Sequence, residues 1–161
     1  MRLPLAVRAV LAMAIPITVA GIVPWVLLEP TLPPIPPWRY LMVIPMAGGL
    51  LFAGWAVLLF FQHGRGTLAP IDPPTVFVAH GPYRVTRNPM YVGITCWLLS
   101  WAALTGSRVL TWYALFLPLG FHLFVRFVEE PVLRRRFGAA YEAYTRQVPR
   151  WIVGARRRLD A

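Results

Sequence analysis

Four long stretches nearly free of charge divide the chain, at 9–28, 40–61, 90–106 and 109–128. Each approaches the roughly 20 residues that an α-helix needs to cross the hydrocarbon layer of a bilayer. Backbone polar groups in lipid must satisfy one another within the segment, so uncharged stretches of this length predict helices. With 58% hydrophobic residues in only 161, the chain also carries more apolar surface than a soluble domain of its size can bury. The fold expected is all-α and integral to a membrane. It is a single domain over 1–161, with four transmembrane helices, a long loop over 62–89 and a tail over 129–161 that opens with an amphipathic helix.

The first stretch follows Arg2 and Arg8 but has no small-residue cleavage site, and it runs on into Pro30, Pro33, Pro34, Pro36 and Pro37. It reads as a retained helix followed by a stiff connector, not as a signal peptide. Ser107 and Arg108 alone separate the third and fourth stretches, which predicts a tight helical hairpin. Gly48, Gly49, Ala53 and Gly54 lie inside an apolar stretch and mark a face for close helix packing. No G-x-G-x-x-G follows a strand pattern, so a Rossmann-type cofactor domain is excluded.

All 16 basic residues are arginines, and they are unevenly placed. Arg2, Arg8, Arg65, Arg84, Arg87 and the eight from Arg134 to Arg158 fall on one side of the helices, Arg39 and Arg108 on the other. The positive-inside rule therefore puts both termini and the 62–89 loop in the cytoplasm. A net charge of +10 in this setting speaks for topology and contact with anionic lipid, not for nucleic acid. The all-arginine, alanine-rich composition points to a bacterial chain and so to the inner membrane. Cys96 is the one cysteine and sits within an apolar stretch, where it reads as a small core thiol. His63, His80 and His122 show no ligand spacing, and no metal is expected.

Polar residues concentrate in two places. In the loop, Gly81-Pro82 marks a tight turn, and Asn88-Pro89 reads as the cap and first position of the third helix. The free amides of that helix start, with Arg84 and Arg87, make either a site for a carboxylate or phosphate or a capped helix whose arginines rest on lipid phosphate. After the fourth stretch, Arg126, Glu129 and Glu130 stand at i, i+3 and i+4, on one helix face, where they can pair. Arg126 is otherwise free to snorkel to the interface. Pro131 disfavours helix at Glu130 and predicts a new cytoplasmic helix from there. In it Leu133, Phe137, Tyr141, Tyr144 and Val148 form a stripe that lies on lipid or covers the loop.

These residues carry a resemblance. Gly81, Tyr83, Arg87, Pro89, Tyr91 and Gly93, then Arg126, Glu129, Glu130, Leu133, Phe137, Gly138, Tyr141, Tyr144 and Val148, resemble the signature of the isoprenylcysteine carboxyl methyltransferases and the related membrane phospholipid methyltransferases. The likeness covers Thr67 to Trp151. It implies S-adenosylmethionine as methyl donor, held by loops and helix ends. Val76, Phe77 and Val78 would touch the donor through backbone, with Tyr83, Arg87, Asn88, Pro89, Met90 and Tyr91 around it and Glu129 at its polar end. Many relatives carry histidine where this chain has Asn88. Arg126 and Glu130 would be the catalytic pair, Arg126 on the side of the acceptor. The function expected is methyl transfer at the membrane–cytoplasm boundary to a lipophilic acceptor, a carboxylate or a lipid head group. Two alternatives stand beside it: an NADPH-dependent membrane reductase related to sterol reductases, and a lipid-binding four-helix membrane protein without enzymatic activity.

Overall fold

A computed structural model describes residues 13–29, 31–63 and 78–151. Val76, Phe77, most of the 62–89 loop before Val78, and the tail beyond Trp151 lie outside the described residues. All regular structure among them is helical. Helix α1 covers Met13–Leu27. A 3-10 turn, Pro37–Met42, leads into α2, Val43–His63, and another, Gly81–Arg84, precedes α3, Pro89–Thr105. Then come α4, Arg108–Phe124, a π turn, Val125–Glu129, and α5, Glu130–Gln147.

Pro37–Phe60 and Arg108–Gln147 are long and apolar enough to cross a membrane, while Met13–Leu27 and Pro89–Thr105 are apolar but shorter. Only 17% of the apolar window of either long helix is buried. Leu51 at 73% and Phe116 at 63% exposure are typical of the outward faces. Helices at the centre of a soluble protein hide such side chains; these turn them to a surface that lipid solvates.

The buried centre combines alanines with larger aliphatic side chains. Ala53, Ile94, Leu98, Ala102, Leu110 and Ala114 pack where α2, α3 and α4 meet. Of the four small residues expected to make the packing face of α2, Gly49 and Ala53 do so. A Cβ on Gly49 would stand 2.7 Å from the Gly93 carbonyl oxygen, and one on Gly93 would stand 2.5 Å from that of Gly49. Gly48 and Gly54 face open space instead. Cys96, expected in the core, is half-buried and donates its thiol proton to the Pro45 carbonyl at 3.3 Å, adding to the same contact. Gly93→Val is therefore expected to force α2 and α3 apart and to lower stability by about 1–3 kcal/mol. Gly48→Val should leave it unchanged. Thermal unfolding in detergent checks the pair, and equal melting temperatures would refute the close contact.

The hairpin forms as expected. The Gly106 amide returns to the Ala102 carbonyl at 2.8 Å, and Ser107 caps α4 by accepting from the Leu110 amide at 3.2 Å. Glu29 accepts from the Arg108 amide at 3.1 Å, placing a carboxylate at the positive end of α4.

Two prolines shape the rest. In α1 the Val23 amide bonds to the Thr18 carbonyl and Pro24 has no amide, so the carbonyls of Val19 and Ala20 lose their helical donors. Tyr113 hydroxyl donates to the first at 2.8 Å and Trp97 indole to the second at 3.0 Å, which ties α1 to α4 and α3. Pro131 repeats the pattern, with the Glu130 amide bonded to the Val125 carbonyl across a π turn. The chain stays helical through Pro131 instead of breaking before it; the wider turn absorbs the missing bond. The true discontinuity comes at Gly138, whose φ of 49° and ψ of −124° bend α5 in a way that a side chain there would oppose.

Candidate functional site

The site is assembled at the start of α3 and the start of α5, held together by the segment that follows α5. Pro89 is buried in the first turn of α3 and Asn88 takes the cap position. The expected side-chain cap is absent. The Asn88 amide hydrogen goes to Thr86 Oγ1 at 3.2 Å and its side chain donates to the Arg150 carbonyl at 3.0 Å. Thr86 donates to that same carbonyl at 2.9 Å, and the Arg87 amide to the Pro149 carbonyl at 2.9 Å. Three consecutive residues before α3 thus clasp the 149–150 backbone.

Charge reinforces the clasp. Arg150 grips Glu130 at two points, Nε to Oε1 at 2.6 Å and a terminal nitrogen to Oε2 at 2.8 Å, while Arg87 donates to Oε1 at 2.9 Å. The Glu130 side chain is 6% exposed. Burial alone would push its carboxyl up, but the Arg150 hydrogen bond and the charges of Arg87, Arg150 and Arg134 outweigh this and hold it below the ordinary glutamate value. Both contacts are charge-assisted and that of Arg150 is bidentate, which makes them strong and fixes their geometry.

Beside this lies the second acid. Glu129, just past the 109–128 stretch, accepts from the Tyr91 hydroxyl at 3.1 Å. Burial pushes its carboxyl up to about 7; the Tyr91 bond opposes the shift and the Glu130 charge adds to it. The Tyr83 phenol is pushed up as well, by burial and then by the charge of Glu129, so it stays a neutral hydroxyl. Tyr91, Tyr83 and Glu129 are therefore neighbours. Arg87 Nε is buried with no hydrogen-bond partner among the described residues.

The α5 stripe covers the loop rather than lying on lipid. Tyr141, Tyr144 and Val148 are buried together with Leu133 and Phe137 against them, and the Tyr144 hydroxyl donates to the Tyr83 carbonyl at 2.7 Å. Val78 is buried, and Met90 turns into the contact of α2, α3 and α4. Arg126 does not take the position expected for it. It is exposed, its guanidinium 5.5 Å from the Phe127 ring centroid, and it pairs with neither acid. The acids turn inward to Tyr91 and to two arginines that arrive from distant parts of the chain, so the local i, i+4 pair does not form.

Thr86, Arg150, His122 and Trp151 belong to this neighbourhood and were not singled out from the sequence. Arg150 looks like any of the tail arginines until Pro149 and Trp151 are seen to hold it in place. The Trp151 indole donates to His122 Nδ1 at 3.1 Å, and Phe121 stacks on Tyr91 with centroids 4.7 Å apart. Between α3 and α4, directly beside these rings, is a crevice of about 260 Å³ lined by Val92, Thr95, Pro118, Phe121 and Trp151. Among the described residues no group of histidine, cysteine and acidic side chains is placed to hold a metal ion.

A sequence model of the family described as phospholipid methyltransferase matches residues 41–140, which include α2, α3, α4, both acids and the first half of α5. No curated protein and no solved structure is similar enough to match.

Proposed function

The chain belongs to the phospholipid methyltransferase family, and from that membership we propose that it is a membrane enzyme transferring a methyl group from S-adenosylmethionine to a lipophilic acceptor. The acceptor is an acid, methylated on oxygen, or a lipid head group. The observation that carries this reading is a half-buried Glu129, its carboxyl lifted to about 7 and bonded to Tyr91, next in the chain to Glu130, which pairs with an Arg87 whose Nε has no hydrogen-bond partner among the described residues. A buried carboxyl of this kind gains most from a cation, and a buried N–H without an acceptor gains most from an anion.

The donor offers both, an ammonium and a carboxylate on one amino-acid end, so the residues present fit it. When bound, it supplies a methyl group activated on a sulfonium. Glu129 would hold the ammonium and Arg87 Nε the carboxylate, with Tyr83, Asn88, Pro89, Met90 and Tyr91 and the backbone of Val76, Phe77 and Val78 around the remainder. Both oxygens of Glu130 are engaged by arginines. In this reading Glu130 is a positioning residue that keeps loop, α5 and tail in register, while Arg126 meets the acceptor. Methyl transfer is an in-line displacement that rests on alignment and exclusion of water, and the clasp provides the first of these. We place the site on the cytoplasmic side of a bacterial inner membrane, with four spans and both termini inside.

Titration of the purified protein with S-adenosylmethionine and with NADPH tests the reading. Saturable binding of the first and none of the second is expected; the reverse would make it a reductase, and neither would leave a lipid-binding protein. Arg126 separates the steps. Because it is exposed and pairs with no acid among the described residues, Arg126→Ala should keep its melting temperature and bind the donor normally, yet transfer at least about tenfold more slowly, having lost an acceptor contact. Arg126→Lys, which keeps the charge but not the planar fork, should also transfer poorly. Normal transfer by both variants would remove Arg126 from the chemistry.

A further inference from the structure

At the far end of the helices from Glu129 and Tyr91, a second arginine is short of acceptors. The 17 residues of α3 carry the chain about 25 Å from Pro89 to Thr105. There Arg39, in the 3-10 turn before α2, lays its guanidinium against Gly106, whose φ of 71° belongs to the turn of the hairpin. A Cβ on Gly106 would collide with Arg39 Nη1 and stand 3.2 Å from Pro33, so the group is seated between the hairpin and the proline-rich connector. Arg39 Nε and Nη1 are buried, and neither has a hydrogen-bond partner among the described residues. Cζ lies 5.4 Å from the centroid of the Trp38 ring. A ring face attracts the charge but leaves the N–H groups in the guanidinium plane without acceptors.

Glu29, the one acid at this end among the described residues, is spent on the Arg108 amide. Arg39 and Arg108 outnumber it, so the local balance is positive. Burying a charged N–H without an acceptor is costly, and an anion would remove the cost. The surroundings indicate where it comes from. Trp38 and Tyr40 are 62% and 59% exposed, and Leu41 and Ile44 extend the same outward surface in carbon. Aromatic rings and a basic residue at the end of an apolar helix mark the depth of lipid head groups. The connector over Arg39 is weakly held. Residues 31–36 include Pro33, Pro34 and Pro36, and among the described residues their one hydrogen bond is that from the Arg39 amide to the Pro36 carbonyl, at 3.0 Å. Pro33 can therefore yield to a ligand for the loss of packing alone.

We propose that Arg39 binds the phosphate of a membrane phospholipid in the leaflet at the hairpin end. One edge of a guanidinium carries Nε and a terminal nitrogen, the edge by which Arg150 holds Glu130, and two oxygens of a phosphodiester match it. Arg108, exposed on the same hairpin, adds attraction for the anion. The acyl chains lie on the outward carbon surface of α2, and the phosphate ties the start of α2 and the connector to the hairpin. The proposal rests on the membrane reading and on neither the reaction nor the methyl donor.

The test uses the full-length protein in dodecyl maltoside, a detergent without phosphate, with phosphatidylglycerol that carries a diazirine on its head group. After photolysis, mass spectrometry should place crosslinks on the peptides of 33–40 and 106–108, and also on the arginines of 134–136, where any anionic lipid is attracted. Arg39→Gln should lower the first set at least about tenfold and leave the second unchanged. Unchanged labelling of the first set in that variant would overturn the proposal. Competition on the wild-type protein decides the matter even if the variant fails to fold. Unlabelled phosphatidylglycerol should displace the probe from 33–40 and 106–108, whereas diacylglycerol with the same chains, and inorganic phosphate at the same concentration, should not. Equal displacement by diacylglycerol would show that the chains and not the phosphate are held; equal displacement by inorganic phosphate would make this a site for a soluble anion. Either overturns the proposal. Labelling of 134–136 alone would do so while leaving the membrane reading intact, and labelling nowhere would remove both.

Discussion

Glu130→Ala is expected to lower stability by about 3–5 kcal/mol, because it leaves two guanidinium groups without the carboxylate that compensates them. The Arg87 and Arg150 side chains are only 12% and 27% exposed. Neither can return to water without opening the contact between the 86–88 segment and the 149–150 backbone. The loss therefore extends past one ion pair. Once the charges separate, the three hydrogen bonds to the Pro149 and Arg150 carbonyls lose their register, and Trp151 is freed from His122. Donor binding should disappear with the fold of this region. Glu130→Gln separates charge from shape, since an amide still fills the space and accepts one bond; it should be intermediate. Arg134→Ala is the control. Its partner Glu142 lies on the exposed side of α5, both side chains are nearly half exposed, and such pairs contribute about 1 kcal/mol or less.

The pH dependence gives a second check on the same residue. Glu130 has its folded-state carboxyl held below the ordinary value, so its contribution is complete above that ordinary value and is lost as pH falls through the folded one. Wild-type protein should thus lose stability in acid more steeply than Glu130→Gln, which has no proton to take up there. Unfolding followed by tryptophan fluorescence between neutral and acid pH measures both. Parallel curves for the two proteins would show that the clasp is not what acid breaks.

Much of this architecture is legible in the order of residues, for reasons that differ from element to element. Helix positions followed from uncharged stretches, because lipid permits hardly any other solution, and α3 and α4 lie within a residue or so of the expected starts. The tight hairpin at Ser107 and Arg108 was readable because the break between two uncharged stretches is local. Pairing of the acids was misread for the opposite reason. Spacing along one helix makes Arg126 the obvious partner of Glu130, but a bidentate partner 20 residues away wins, and no local pattern announces Arg150. Asn88 shows the same bias. It occupies the cap position, yet its side chain serves a long-range contact to the tail. Of the α2 glycines, two of the expected set face outward, since an apolar stretch surrounded by lipid gives no periodicity from which to choose the packed face.

Glu129 leads to the sharpest expectation about the donor. A carboxyl lifted to about 7 by burial is partly protonated at neutral pH, and a cationic ligand must meet it ionised. Binding then releases the proton. Apparent affinity for S-adenosylmethionine should level off above about pH 8 and fall about tenfold per pH unit below about 7, the slope of one linked proton. Glu129→Gln should abolish that dependence and weaken binding at high pH by about 10- to 100-fold, equivalent to about 1.5–3 kcal/mol for a hydrogen bond to a charged group. Tyr91→Phe acts through the same acid. Its hydroxyl bond favours the ionised form, so removing it should move the whole profile to higher pH while changing the high-pH affinity much less. That pattern, a lost slope in one variant and a displaced slope in the other, arises only if the carboxylate itself meets the positive charge. A wild-type affinity independent of pH between 6 and 8 would place the donor's ammonium elsewhere and leave Glu129 as a buried acid held for packing alone.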